Sequence, residues 1–502
     1  MAREPLDIPA LAEEVAGPSF DDKRLSARLK LLIERLAQDP KRSLPNAFDS
    51  AGLEGAYRFF SNPKVTLQGI LAPHIQSTRS RCEARGDYLV VHDSTTFSYR
   101  FDGERKGLGR AQRSKATSAQ VLFAHVSLAL AADGTRQPLG IAALETWTRS
   151  PKPTGVEHQR WERQIGVASE QLNGRKNAIH LADREADSYE MFHQLLQDGH
   201  RFVVRCQFNR KLVASSGVTH LQDHFSSISS TMEREVPLSR RKPRRHVIER
   251  KIYPARDLRL ATLSVAAASV TLLKPKQSRA SAPTITINMV RVWEANPPAG
   301  AEPIEWLLYT TEPIETPEQQ LAIVDHYRAR WTIEEYFKAI KTGCEFEKKQ
   351  LQDFEALSNL LATFAPIAYR LLLLRTEAAR APDAPASTVL STAQLDVAAR
   401  SRSHQAPPGA HRPRRLPRHR CARRAHQIQR SSRLAHPRPR LRKARTPHRR
   451  MGRCKIPALP RSRMSPWKLR QLLPEQCLRA SSLRRCMLSV YTQLKTLPGA
   501  WR

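Results

Sequence analysis

The chain of 502 residues is longer than a single domain usually is, and 40% of its residues are hydrophobic, which is enough for a sizeable core. No uninterrupted apolar run reaches the roughly 18 residues that a membrane span needs. The first residues lack the pattern of a secretion signal, and the seven cysteines form no C-x-x-C pair of the kind used by zinc sites. We therefore predict two or three domains in a soluble, cytoplasmic protein without a membrane partner.

The net charge of +36 is unevenly distributed along the chain. Residues 401–502 contain 24 Arg and 4 Lys but a single acid, Glu475, so most of the charge belongs to this last fifth. The first 400 residues are only moderately basic. An excess of positive charge favours a nucleic-acid partner, because Lys and Arg neutralise phosphates.

Residues 1–75 are predicted to form a small helical module. Ser19 opens a capping-box pattern before leucines at helical spacing, with arginines on the other faces. A second helix is predicted from Gly52 to Phe60, ending before Asn62-Pro63. Two interpretations stay open for this module, a DNA-binding unit or a plain helical hairpin that packs on the rest of the chain.

Residues 76–395 are predicted to form a second domain of mixed α/β class. Short β-rich runs predict strands at 88–93, 121–130, 139–146, 177–183 and 201–206, and helical patterns predict helices at 158–173 and 185–198. This order is typical of a sheet covered by helices. The alternating pattern over about 207–310 predicts an antiparallel β insertion within the domain.

A long helix is predicted to follow the insertion. Thr316 is a good N-cap, Pro317 suits the first helical position, and Gln319 can complete a capping box. The pattern predicts that the helix runs to about Thr342 and that an apolar helix follows at about 354–375.

Four polar residues of this helix fall on one face. At about 100° per residue, a single arc of about 60° contains Tyr327, Arg330, Glu334 and Lys341. A solvated face and a functional site are both consistent with this spacing.

Two aspartates are predicted to meet at the edge of the sheet. Asp93 and Asp183 each follow an apolar strand, and ligand sites of α/β sheets lie beyond the carboxyl ends of the strands. Two adjacent carboxylates repel each other unless a cation lies between them, and Mg²⁺ prefers oxygen ligands. An Asp in such a position also serves as a helix N-cap, and Asp187 is a competing candidate for the second acid.

Six segments occur in a characteristic order along the chain. They are Glu54-Gly-Ala-Tyr-Arg-Phe59, Val91-His-Asp-Ser-Thr-Thr96, Ala182-Asp-Arg-Glu-Ala-Asp187, Arg201-Phe-Val-Val-Arg205, Trp306-Leu-Leu-Tyr-Thr-Thr-Glu-Pro313 and Tyr327-x-x-Arg330-x-x-x-Glu334-x-x-x-x-x-x-Lys341. Over about residues 15–395 the chain thus resembles the DDE transposases of bacterial insertion sequences, in particular the IS-four family and its Tn-five branch.

The resemblance implies a fold, a reaction and a set of metal ligands. The fold would be RNase H-like, with Asp93, Asp183 and Glu334 as ligands of two Mg²⁺ ions, for which Mn²⁺ can substitute, and with Asp187 in a supporting role. The reaction would be cut-and-paste transposition, in which the enzyme nicks the transposon end, forms and reopens a DNA hairpin, and joins the end to target DNA. The partner would be double-stranded DNA in the cytoplasm of a bacterium, at the nucleoid.

The resemblance also implies a set of DNA contacts. Tyr327, Arg330 and Lys341 would contact the DNA, with phosphates held by the last two, and Trp306 would stack on a flipped base. Further basic candidates are Arg184, Arg205, Arg210, Lys211 and Lys338. A buried Trp in the insertion and a solvated basic strand edge are the alternative interpretations.

Residues 396–502 depart from the family, which continues there with a helical dimerisation region. We predict that this Arg- and Pro-rich tail is translated from a shifted reading frame and is disordered; the alternative is a genuine basic arm that binds DNA. The family acts as a homodimer, so the tail leaves the dimerisation of this chain open. Two other functions stay open as well, a DNA-binding remnant without productive catalysis and another RNase H-like nuclease.

Overall fold

A computed structural model of the chain describes residues 11–15, 20–99, 103–110, 119–148, 157–215, 217–240, 243–246, 251–253, 255–301 and 303–381. These residues belong to one structural unit. The predicted tail at 396–502, together with its reading frame and its order, lies outside the described residues.

The N-terminal part is helical, as predicted. Its helices are α1 (Leu11–Glu14), α2 (Lys23–Gln38), α3 (Leu44–Ala47), α4 (Ser50–Phe60) and α5 (Leu67–Glu83). Helix α2 buries an apolar stripe that contains Leu29, Leu32 and Leu36. Its N-cap differs from the predicted one, because the carboxylate of Asp22 accepts the backbone N–H of Arg24 and Ser19 lies outside the described residues.

Helix α5 runs through the boundary that we predict at residue 75. It packs on strand β4 (Pro138–Trp147) and on helix α11 (Phe354–Arg380), and it buries polar side chains, His74 and Thr78, beside apolar ones. The Nε2 atom of His74 accepts the backbone N–H of Ile141 at 3.0 Å. The helical part and the sheet are therefore joined through one continuous helix.

The central sheet and its helices follow the predicted order. The further elements are β1 (Tyr88–Tyr99), β2 (Gly109–Arg110), β3 (Gln120–Ala131), α6 (Glu157–Gln171), β5 (Ala178–Ala182), α7 (Tyr189–Gln197) and β6 (Arg201–Arg205). Strand β1 pairs antiparallel with β3 and parallel with β5, β6 is parallel to β5, and β4 is antiparallel to β3. The sheet is mixed, with parallel strands β1, β5 and β6 at its centre.

The insertion is antiparallel, as predicted, and it continues the central sheet. Its elements are β7 (Lys211–Ala214), β8 (Gly217–His220), α8 (Leu221–Ser226), β9 (Met232–Leu238), β10 (Arg244–His246), β11 (Lys251–Tyr253), β12 (Arg259–Leu273), β13 (Thr284–Trp293) and β14 (Glu305–Thr310). Strand β14 pairs with β6, for example at Leu308 and Arg205. Twelve of the described strands thus form one sheet.

The predicted long helix is interrupted. It consists of α9 (Pro317–Ala329) and α10 (Thr332–Lys338), followed by a π-helical turn at Ala339–Gly343. The capping box at Thr316 is present as predicted. The interruption arises because the backbone N–H of Glu334 donates to the carbonyl of Trp331, three residues earlier, instead of four residues earlier. This tight turn has 3₁₀ character, which the apolar pattern does not encode.

Helix α11 is the core helix of the described part of the chain. It is the one described helix that is long and apolar enough to cross a membrane, and 89% of its most apolar window is buried in the protein. The carboxylate of Asp353 caps its first turn by accepting the backbone N–H of Ala356. The predicted helix at 354–375 is thus observed, with five further residues at its end.

Candidate functional site

Two aspartates follow the parallel ladder between β1 and β5. The ladder ends at the pair Val91 and Leu181, and two residues further along the two strands lie Asp93 and Asp183. From the sequence we predict that the strand ends at Asp93. In the structure it does not, because β1 continues to Tyr99 as a partner of β3. What ends there is the pairing with β5, so both acids still lie beyond the last parallel pair.

Asp93 forms an ion pair with Arg330 and is electrostatically coupled to two further acids. Its Oδ2 atom accepts from Nη1 of Arg330 at 2.9 Å, and its Oδ1 atom accepts from the backbone N–H of Ser94 at 2.8 Å. Burial raises the pKa of Asp93 to about 7; the charges of Asp183 and Glu334 also raise it, whereas the charge of Arg330 lowers it. Arg330 is therefore paired with Asp93 and electrostatically coupled to Asp183 and Glu334.

Asp183 has a capping role that leaves one of its oxygens unused. It is the N-cap of the short 3₁₀ helix Arg184–Ala186, and its Oδ1 atom accepts the backbone N–H of Glu185 at 2.8 Å. Its Oδ2 atom has no hydrogen-bond partner in the described part of the chain. The capping interpretation from the sequence therefore applies, and the residue keeps an oxygen for a ligand.

The donor set fits a hard divalent cation by its chemistry. Asp93, Asp183 and Glu334 offer only oxygen atoms, and their mutual repulsion raises the pKa of Asp93. Nevertheless, within the described ranges no three His, Cys, Asp or Glu side chains converge closely enough to ligate one ion. The guanidinium of Arg330, which donates to Oδ2 of Asp93, supplies positive charge beside the acids. The acids can therefore be coupled to one another without converging on a single point.

Lys341 lies in the π-helical turn and is electrostatically coupled to Glu334. Its Nζ atom is 5.5 Å from the centre of the Phe97 ring. Burial lowers the pKa of Lys341, while the charges of Glu347 and Glu334 raise it. A tight turn before Glu334 and a wide turn after it rotate the helix in opposite senses.

Aromatic and basic residues line the site beside Arg330. The ring of Trp306, which is half-buried, lies edge-on to that of Tyr327, with 5.5 Å between their centres. Tyr327 is buried, which raises its pKa, while the charges of Arg330 and Arg205 lower it; Arg205 donates to the carbonyl of Glu305. Arg184 is exposed and lies within electrostatic reach of Arg205. Tyr327 is electrostatically coupled to Asp183, and it is in turn next to Trp306 and Arg205.

The charge of Arg210 is paired within the chain. Its guanidinium donates to Oδ1 of Asp187, and its side chain is 8% exposed. Oδ2 of Asp187 accepts from the backbone N–H groups of Gln207 and Phe208. Arg210 therefore forms a structural ion pair in which Asp187 holds the loop after β6, and its contact with DNA stays a prediction.

Two predicted basic contacts are exposed, and one exposed residue was missed. Lys211 and Lys338 both lie at the surface, the first on β7 and the second at the end of α10. Trp331 is 60% exposed in the tight turn between Arg330 and Glu334. Regular helical spacing would bury Trp331, because it follows the buried residues Val324 and Tyr327 on the same face, so no signal of its exposure is present in the sequence.

An edge of a mixed α/β sheet with coupled acids and adjacent basic residues defines a nucleic-acid-processing enzyme. Residues 8–65 match the family Transposase DNA-binding, and residues 84–368 match the family Transposase DDE domain. The second match spans more than half of the chain, which therefore belongs to the DDE transposase domain family. Among solved structures it is similar to the cryo-EM structure of the piggyBac transposase synaptic complex with hairpin DNA, at 10% identity, 80% coverage of each chain and a TM-score of 0.36.

Proposed function

We propose that this transposase belongs to the IS-four family in its Tn-five branch and performs cut-and-paste transposition of double-stranded DNA. The observation that carries the proposal is the coupling of Asp93, Asp183 and Glu334 around Arg330 beyond the β1–β5 ladder. An RNase H-like core is supported by the strand order β4-β3-β1-β5-β6, in which β1, β5 and β6 are parallel.

The three acids would hold two Mg²⁺ ions, or Mn²⁺ in their place. Such ions activate a water or a 3′ hydroxyl for in-line attack on phosphorus and stabilise the leaving oxygen. Arg330 and Lys341 would bind phosphate oxygens on either side of Glu334, Arg330 as a fork and Lys341 as a point charge. Arg184, Arg205, Lys211 and Lys338 would extend this contact along the DNA, whereas Arg210 is already paired with Asp187.

Trp306 would receive a flipped base during hairpin formation. It is half-buried and already packs against Tyr327, so one edge is fixed while part of the ring remains accessible. Stacking of a base on an aromatic ring is worth about 1–3 kcal/mol, which is enough to offset part of the unstacking of the duplex.

The acids are tested by cleavage of DNA that carries the ends of the element. Asp93→Asn, Asp183→Asn and Glu334→Gln should each reduce Mg²⁺-dependent cleavage on the order of 10³-fold or more, without additive losses, and should leave DNA binding intact. Glu335→Gln is the matched control, because Glu335 is adjacent in sequence and forms an ion pair with Arg375. Full activity in a triad variant removes that residue from the site.

The role of Trp306 is tested by separating the first nick from hairpin formation. Trp306→Ala should leave the nick nearly unchanged and slow hairpin formation about tenfold or more, since stacking acts only on the flipped base. Trp293→Ala is the control within the same insertion, because Trp293 packs against Arg291 instead. Equal slowing of both steps by Trp306→Ala would indicate a folding role.

A second candidate function is a DNA-binding remnant without productive catalysis. The observation that favours it is the abrupt change to an Arg- and Pro-rich composition where the family continues with its dimerisation region. Translating the other two reading frames of the gene beyond codon 396 tests the cause. A helical, mixed-charge sequence in one frame would support a frameshift, and its absence in both would favour a genuine basic arm.

A further inference from the structure

A second basic cleft lies apart from the acids. It has a volume of about 360 Å³ and is lined by the turn between β3 and β4, by strand β9 and by helix α9. Each of these three elements contributes one arginine, namely Arg136, Arg234 and Arg328. The three are distant in sequence, so the cluster exists only in the folded chain.

The positive charge of this cleft is only partly neutralised. Asp325 is its one lining carboxylate, and it accepts from Arg234 at 2.7 Å and from Arg328 at 3.0 Å. No hydrogen bond joins Arg136 to any described residue. Burial and the charge of Arg328 lower the pKa of Arg136. Three guanidinium groups therefore lie around one carboxylate, and that of Arg136 has no hydrogen-bond acceptor among the described residues.

Arg136 also adopts a strained backbone conformation. Its φ angle is 54°, in the left-handed region that residues other than Gly, Asn and Asp rarely occupy. Such strain costs on the order of 1 kcal/mol and persists where a function requires the side chain. Because Arg136 makes no hydrogen bond that would repay the strain, a ligand outside the chain is the natural acceptor.

His326 also lines the cleft, and burial lowers its pKa. Its Nδ1 atom is buried and has no hydrogen-bond partner among the described residues. Leu89, which also lines the cleft, precedes Asp93 by four strand residues, a distance of about 13 Å along β1. A group bound in the cleft is therefore not the one that reacts at the acids.

We propose that this cleft is a phosphate-binding site that takes a backbone phosphate of DNA at a distance from the reacting bond. Guanidinium groups bind phosphate oxygens through paired N–H donors, and the surplus positive charge of the cleft attracts the negative charge of a phosphate. Free pyrophosphate offers the same chemistry and is the alternative source of the anion. The proposal does not depend on the metal ligands assigned above.

The test uses the full chain in EDTA, so that no cleavage occurs. Binding of a fluorescent DNA duplex of unrelated sequence is measured against salt concentration for the wild type and for Arg136→Asn. Loss of one phosphate contact should reduce the salt slope by about 0.9 and weaken binding severalfold. Arg85→Gln is the matched control, since Arg85 pairs with Asp133 of the same turn. The basic residues of 401–502 are common to all variants and cancel in the comparison.

Thermal unfolding of the same variants separates a binding role from a structural one. Asn tolerates the left-handed conformation, so Arg136→Asn should leave the Tm unchanged or raise it. Inorganic pyrophosphate should raise the Tm of the wild type and not that of the variant. A lost pyrophosphate effect with an unchanged salt slope would assign the cleft to free anions and reject DNA. The proposal is wrong if Arg136→Asn changes neither the salt slope of DNA binding nor the effect of pyrophosphate on the Tm. It is also wrong if the only effect of Arg136→Asn is a lower Tm.

Discussion

Two aspartate–arginine pairs lie near the same edge of the sheet and differ in how completely their charges are satisfied. Asp187 accepts from the guanidinium of Arg210 and from two backbone N–H groups. Asp93 accepts from Arg330 and one backbone N–H group, and two further carboxylates are electrostatically coupled to the same guanidinium. The first pair holds a loop, whereas the second has unbalanced negative charge.

The difference between the two pairs indicates which of them can bind a ligand. A fully hydrogen-bonded pair has nothing to offer a ligand, and breaking it leaves an uncompensated buried charge. A crowded set of acids is destabilised until a cation arrives, which is the condition for binding that cation. Asp183 and Asp187 are four residues apart in sequence, yet they belong to these two different environments.

The largest expected effect is on the satisfied pair. Asp187→Asn should lower the free energy of unfolding by about 3 kcal/mol or more, because Arg210 would stay buried without its counter-charge. Chemical denaturation measures the loss, with Asp223→Asn as the control at an exposed aspartate. A loss below about 1 kcal/mol would mean that the Asp187–Arg210 pair contributes little to stability, and it would contradict the structural role given to this pair.

The second effect is the response of the crowded acids to metal. Mg²⁺ at 100 times its Kd should stabilise the wild type by about 2.7 kcal/mol, since it binds the folded chain alone. Asp93→Asn should abolish this response, and Glu335→Gln should retain it, because Glu335 is paired with Arg375. Thermal unfolding with and without Mg²⁺ measures both. Equal stabilisation of all three proteins would place the ion elsewhere.

The smallest effect is the pH dependence in the absence of metal. The pKa of Asp93 is raised from 3.8 to about 7 by burial, so the folded chain binds this proton more tightly than the unfolded chain. Stability from this group is therefore present below pH 4 and is lost as the pH rises towards 7. Asp93→Asn should lack that decline, with a difference of about 2 kcal/mol between pH 5 and 7. Parallel stability curves in EDTA would contradict the prediction.

Local signals predicted much of the fold. The capping box at Thr316 was predictable because donor and acceptor lie within four residues. The approach of Asp93 and Asp183 was predictable because parallel strands share an edge. The sequence did not indicate that helix α5 crosses the predicted domain boundary. Its buried face includes the polar residues His74 and Thr78, so its apolar residues do not recur at regular helical spacing.

Contacts between distant residues were beyond the sequence. Arg330 and Asp93 are 237 residues apart in the chain, and no local pattern indicates that they pair. For the same reason the ion pair of Arg210 was not predicted, because its partner Asp187 lies 23 residues earlier. The tight turn at Trp331 depends on backbone hydrogen bonds that side-chain patterns do not specify.

The pairing of β14 with β6 has a consequence for engineering a smaller enzyme. Strand β6 hydrogen-bonds to β5 on one side and to β14 on the other. Excising the insertion would uncover the backbone edge of a strand whose central residues, Val203 and Val204, are buried. An uncovered edge of this kind invites pairing with another chain, and hence aggregation. A minimal variant therefore needs a replacement strand at this edge, because the insertion is an integral part of the sheet.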